Sequence, residues 1–372
     1  MKPSRSRLAV WALQLAALIQ SMGAVFAVAQ SVSHTVPAYP DHAKLLVVRD
    51  SSGRELSVGR ACDWEVRRDH ILAHFQEAAG PLPGAERRVA LEMQVIAESK
   101  EPGFTRKKIT FATEPGDRAI AWLLIPDVRP GAPFRRPAAL CLHQTIAIGK
   151  DEPVGLGTNH ELAYASELAA RGYVAIAPDY PNFGEYKLDV YEMGYKSATM
   201  KAIWNNLRAV DLLCSLDEVD PDSIGVIGHS LGGHNAIFTA LFDRRLKAVV
   251  SSCGFNAFPH YYKGNIAGWS HRGYMPLLRE RYHLDLAQVP FDFPELIAAL
   301  APRAFFTCSP LRDANFDVTG VRVCMTAARP VYELFGAADH LIADYPDADH
   351  SFPRQEREKA YAFFDQFLTK TR

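Results

Sequence analysis

From position 137 onward, short and nearly continuous apolar runs alternate with stretches of helical periodicity. No other feature constrains the fold as strongly. "AALCLHQ" is followed by a loop and by "ELAYASELAARG", a helix ended by Gly172. "YVAIAPDY" reads as the next strand, and a helix is expected over about 198–216. "SIGVIGHS", "LKAVVSSCG", "RAFFTCS" and "HLIADY" continue the strands. Between and after them come "GGHNAIFTALF", "PELIAAL", a helix running through Val331 and a last helix over about 353–367. Runs this apolar suit strands buried on both faces, and parallel neighbours need crossover helices. The pattern predicts an α/β fold with a mostly parallel central sheet and helices on both faces. With 372 residues, 48% of them hydrophobic, the chain can bury a large core of this kind.

The region before position 137 has a different rhythm. "DWEVRRDHILAHFQEAAGPLP" puts Trp64, Ile71, Leu72 and Phe75 at helical spacing. Asp63 is its candidate N-cap, and Gly80-Pro81 its stop. "ALEMQVIAES", "TRKKITFAT" and "RAIAWLLIP", separated by turn residues, predict an N-terminal antiparallel meander. Residues 30–60 lack strong periodicity and are expected to form a linker or arm before a domain at 61–372. Residues 1–29 begin with Lys2, Arg5 and Arg7, continue through an apolar stretch and end in Ala27-Val28-Ala29. That is the layout of a cleaved export signal, so a secreted or periplasmic protein is expected. No later stretch is apolar enough to span a bilayer.

Lys and Arg total 41 against 42 Asp and Glu, a formal net charge of -1, which gives no basic surplus for nucleic acid. None of the six cysteines forms a C-x-x-C pair, and Cys141, Cys253 and Cys308 lie in strand-like runs, so at most one disulfide is expected. "GLGTNH" has two glycines of a dinucleotide loop but His160 in place of the third. Neither a Walker A nor a His-Glu-x-x-His pattern occurs, so no cofactor and no metal are expected. Residues 255–293 form an insertion rich in aromatics, including Phe258, Tyr261, Tyr262, Trp269, Tyr274 and Tyr282. It either packs as a long connection or caps the sheet's carboxyl edge.

Gly228-His229-Ser230-Leu231-Gly232 falls where a predicted strand meets a predicted helix. A serine on so sharp a turn needs neighbours without side chains, and the helix's first N–H groups then face it. The hydroxyl needs a base, which belongs on a loop at the carboxyl edge of a later strand. His350, after "HLIADY", meets that condition. His340 precedes the same strand and belongs at the opposite edge. Asp313, just past "RAFFTCS", is the candidate carboxylate to orient the histidine, with Asp317 as the alternative. Asp347 and Asp349 lie too close to His350 in sequence and are expected to solvate its loop. The backbone N–H groups of Leu231 and of Thr145, in the loop opened by His143-Gln144, are the candidate oxyanion donors. His143 itself is expected to pack the loop.

The order Ser230, Asp313, His350 is the one expected of α/β-hydrolases. The chain resembles that superfamily from about Trp64 to its end. Within it, it resembles the dienelactone hydrolase-like and acetyl xylan esterase-like serine esterases. The resemblance rests on "LCLHQT", "GYVAIAPDYPNFGEY", "GVIGHSLGGHNAIF", "LAPRAFFTCSPLRDANFDVTGVR" and "DADHSF". It implies the α/β-hydrolase fold, supports Asp313 as the acid, and points to carboxylic esters, including acyl or uronate esters of carbohydrates. Ser230 departs from the cysteine nucleophile of dienelactone hydrolases proper, and Gln144 from the usual His-Gly of the oxyanion loop. A prolyl oligopeptidase-like peptidase shares the same triad. However, only about 100 residues lie between the expected signal and the first core strand, too few for a propeller of four or more blades. An inactive binding protein on the same scaffold would predict a broken triad.

Overall fold

The computed structural model describes residues 36–128, 131 and 134–369, so the export signal expected over 1–29 lies outside the described residues. Among the described residues the first elements are a small antiparallel pair, β1 (Val47–Arg49) and β2 (Glu55–Ser57). This pair lies in the segment expected to be a linker or arm, and Tyr39, Leu45 and Val58 of that segment are buried. Helix α1 (Ala61–Ala79) buries Trp64, Ile71 and Phe75 as its spacing requires. Its N-cap is Arg60, not Asp63; Asp63 sits one turn in and accepts from the Arg60 guanidinium. Gly80, with φ 92°, ends the helix.

Strands β3 (Gln94–Glu101), β4 (Phe104–Glu114) and β5 (Asp117–Pro126) form the antiparallel meander. The alternating part follows: β6 (Arg136–Leu142), α2 (Tyr164–Arg171), β7 (Val174–Pro178), α3 (Ala198–Ser215), β8 (Val219–His229), α4 (Leu231–Phe242) and β9 (Leu246–Ser252). The 255–293 insertion holds the short α5 (Leu277–Glu280), and then come α6 (Phe293–Ala298), β10 (Ala304–Cys308), α7 (Val318–Leu334), β11 (Leu341–Asp344) and α8 (Arg354–Leu368). The sheet has nine strands in the order β11-β10-β9-β8-β6-β7-β5-β4-β3. It is parallel from β11 to β7 and antiparallel beyond.

Successive strand residues point to opposite faces, and both faces are covered. Leu140, Leu142, Val226 and Val249 join the core beneath α1, α3, α4, α6 and α7. Their neighbours Ala139, Cys141, Ile227 and Val250 join the core beneath α2 and α8. That is why these strands read as continuous apolar runs. All six cysteines are free thiols, so the single bridge that the sequence allowed is absent.

One buried charge cluster ties the meander to α3. Lys201 Nζ donates to Glu114 and to Asp117 Oδ2 (2.7 Å), and it is fully buried. Tyr195 donates to Glu114 at 2.7 Å and Tyr186 to Asp117 at 2.6 Å. Burial pushes the Asp117 carboxyl up, but Lys201 and the hydroxyls outweigh it and hold it below the ordinary carboxylate value. A depressed carboxylate stabilises the fold above its unfolded pKa, and that stabilisation is lost as pH falls. Replacing Lys201 by Ala leaves Asp117 buried without its cation and Glu114 with Arg87 alone. The substitution is expected to cost about 3–5 kcal/mol in urea unfolding at neutral pH, with a smaller loss in acid.

Candidate active site

The turn between β8 and α4 is built from backbone contacts that leave no room for side chains. A Cβ on Gly228 would lie 2.2 Å from the Gly232 carbonyl oxygen, and one on Gly232 would lie 1.9 Å from that of Leu142. Ser230 is forced to φ 54°, ψ −116°, a conformation a non-glycine residue rarely holds. Its N–H donates to Ser252 O (2.8 Å), and its own carbonyl accepts from Gly233 and His234. The serine therefore stands at the carboxyl edge of the sheet with the N-terminus of α4 behind it. Leu231 supplies the first N–H of that helix, where no intrahelical acceptor exists.

Asp313 and His350 meet directly. His350 Nδ1 lies 2.9 Å from both Asp313 oxygens. The carboxylate is nearly inaccessible, at 1% exposed, whereas the imidazole is 27% exposed. Asp313 Oδ1 also accepts from the N–H groups of Asn315 (2.8 Å) and Phe316 (3.0 Å). Burial works to raise the carboxyl's pKa, but His350 and these two N–H groups outweigh it, so Asp313 stays charged below the ordinary range. The loops carrying the two residues run side by side beyond β10 and β11. Ser309, Leu311 and Arg312 donate their N–H groups to the carbonyls of Asp344, Pro346 and Ala348. Arg312 also pairs with Asp347 and, at 3.0 Å, with Asp349.

The alternatives occupy other roles. Asp317 caps α7, accepting from the Thr319 N–H (2.8 Å) and hydroxyl (2.7 Å). His340 lies at the other edge, where its Nδ1–H donates to Pro302 O (2.8 Å). His229 is buried, lies 3.0 Å from Ser252 Oγ, and has its pKa pushed down to about 3 by burial, so it is neutral. Its ring is 4.9 Å from that of His350, which places the exposed imidazole beside the serine turn. His143 is buried too. It donates from Nδ1 to Gln144 O (2.6 Å) and accepts the Tyr180 N–H at Nε2 (3.3 Å). Burial lowers its pKa to about 4. Thr145 is exposed, and its hydroxyl lies 2.8 Å from that of Tyr274 in the insertion.

Two arrangements were not anticipated. Lys150, fully buried, bonds Asp179 by side chain (2.9 Å) and backbone (2.8 Å), clamping the Thr145 loop to the end of β7. The acidic residue directly after the apolar strand in "VAIAPDY" was the available signal. Cys253, with φ 49°, lies beside the acid–histidine pair, and ligand atoms of Cys253, Asp313 and His350 fall within 4.8 Å of one another. These donors do not suit a cation. Burial holds the thiol protonated and it faces Ser351 O at 3.3 Å, while His350 Nδ1 is engaged by Asp313.

The alpha/beta hydrolase family pattern matches residues 140–363. The chain belongs to that family. A Bacillus subtilis (strain 168) protein named as a hydrolase is 26% identical over 213 residues, covering 55% of this chain and 69% of its own. The 4-O-methyl-glucuronoyl methylesterase of Hypocrea jecorina (strain QM6a) is 29% identical over 201 residues, covering 48% of this chain and 43% of its own length. The solved structure of a glucuronoyl esterase from Solibacter usitatus superposes with a TM-score of 0.68 at 21% identity, covering 89% of this chain and 98% of its own. No described helix is long and apolar enough to cross a membrane.

The two aspartates separate experimentally. Asp317→Ala removes a helix cap and should lower stability by about 1 kcal/mol in chemical unfolding. The His350 imidazole resonances should stay where they are, because its partner is untouched. Asp313→Ala should shift them.

Proposed function

We propose that the protein is an exported serine hydrolase of carboxylic esters, with Ser230 as nucleophile, His350 as base and Asp313 as its orienting carboxylate. The observation that carries this reading is the Asp313–His350 pair standing beside a strained serine at the carboxyl edge of the sheet. His350 Nε2 takes the Ser230 proton as Oγ attacks the acyl carbon. The developing oxyanion is held by the N–H of Leu231 and a second N–H from the loop after β6, at Thr145. His350 then protonates the departing alkoxide, and water enters by the same route to release the acid. Asp313, charged and buried, keeps the imidazole in the tautomer that leaves Nε2 free to accept. No step needs a cofactor.

Glucuronoyl esterases among the relatives and solved structures support a carbohydrate ester as substrate, in the acyl or uronate class. The basic start, apolar stretch and Ala27-Val28-Ala29 support export.

A fluorophosphonate probe should label the intact chain and leave Ser230→Ala unlabelled. Asp313→Asn keeps the shape but loses the charge, and kcat on a reactive aryl ester should fall by about 10³–10⁴. Equal labelling of both proteins, or turnover of proline-linked amides without esters, overturns the reading.

A further inference from the structure

Tyr262 stands out on the surface because its environment is built to present it. It is 57% exposed, among the most exposed large apolar side chains described. Its backbone lies in the left-handed region (φ 44°, ψ 43°), and so does that of Lys263 (φ 59°, ψ 39°). Glycine or asparagine is the relaxed choice at such a position, yet a tyrosine and a lysine occupy them. The ring is held in place. Its hydroxyl donates to Asn315 Oδ1 (3.1 Å), and one side lies edge-on to Tyr261 with ring centroids 4.8 Å apart.

These contacts connect it to the acid–histidine pair. Asn315 and Phe316 belong to the turn folded around Asp313, and Phe316 stacks on His350 with centroids 6.0 Å apart. Tyr261 lies 5.8 Å from Phe316. The aromatic series His350, Phe316, Tyr261, Tyr262 thus runs outward from the imidazole to solvent. Chemistry decides which part of a substrate lies there. In acylation the Oγ–acyl bond forms, the acyl–alkoxy C–O bond breaks, and the proton taken from Ser230 passes from His350 Nε2 to the alkoxide. The alcohol oxygen must therefore sit at His350, the inner end of that aromatic series.

We infer that Tyr262 is a stacking platform for the alcohol half of the ester, selecting alcohols that present a flat ring face. The assignment rests on the ester-hydrolase reading above. Both a pyranose face and an arene meet the requirement, because each offers C–H or π surface to the phenol ring.

The test compares methyl, benzyl and pyranosyl esters of one acid, using the intact chain, Tyr262→Ala and Tyr262→Phe. The benzyl-to-methyl and pyranosyl-to-methyl ratios of kcat/KM should fall roughly tenfold in Tyr262→Ala and be retained in Tyr262→Phe. A fall in only one ratio identifies which ring the platform takes. Unchanged ratios in a chain that turns over esters overturn the platform alone. Failure of the intact chain to hydrolyse any ester, with no fluorophosphonate labelling, overturns the parent reading and the platform with it.

Discussion

The molecule is organised by a backbone contact. At the end of β8 the chain reverses into α4 so tightly that Gly232 lies under the Leu142 carbonyl and Gly228 under that of Gly232. Gly233 also approaches Gly254 closely, since a Cβ there would lie 2.8 Å from its Cα. Strands β6, β8 and β9 and helix α4 therefore meet at a single point without side chains between them. The strain on Ser230 is maintained by that convergence, because relaxing the turn would pull α4 away from three strands at once. A serine held this way cannot turn inward to satisfy itself against the sheet. It stays at the edge, where the other loops gather.

Histidine chemistry shows how environment selects one group among several. His143, His229 and His234 surround the same edge, and all three are buried enough to stay neutral, with pKa values pushed to about 4, 3 and 3. Each has a fixed partner: Gln144 O, Ser252 Oγ and Gly254 O. Of the histidines at this edge, only His350 combines partial exposure with a buried carboxylate. That geometry is what the proposed base requires: a ring oriented by its partner that still reaches solvent. The three buried rings are structural, and they keep competing charge away from the site.

What could be read from the sequence follows from where the physics is local. Strand–helix alternation, the stop at Gly172 and the glycines around Ser230 are short-range features, and the sheet realises them. Strand polarity also separated His350 from His340, since a residue before a parallel strand and one after it lie at opposite edges. Asp313 and Asp317 were harder, because both follow the same strand. The difference is a turn. Asp313 folds the N–H groups of Asn315 and Phe316 around itself and faces inward, whereas Asp317 caps α7. The N-cap of α1 was misplaced for a related reason: Asp63 is used in an ion pair with Arg60, inside the first turn. The Lys150–Asp179 clamp joins residues from two different crossover loops, so Asp179 after its strand carries a local signal but its partner does not.

The insertion after β9 brings aromatic side chains to the edge of the sheet that carries Ser230. Its buried aromatics Phe258 and Trp269 pack on Phe291 and Phe293, which fixes it as part of the core rather than a hinged lid. From that base it reaches both sides of the serine. Tyr274 meets Thr145 in the loop after β6, and Tyr262 meets Asn315 in the turn around Asp313. The turn at Ser230 cannot vary without losing the fold, because its contacts are backbone to backbone. The insertion meets the loops around Ser230 through side chains: the hydroxyls of Tyr274 and Tyr262, and the rings of Tyr261 and Trp269 against Phe316. On the proposed reading, the nucleophile therefore sits in a part of the structure fixed by backbone contacts, and the alcohol platform in a part fixed by side chains.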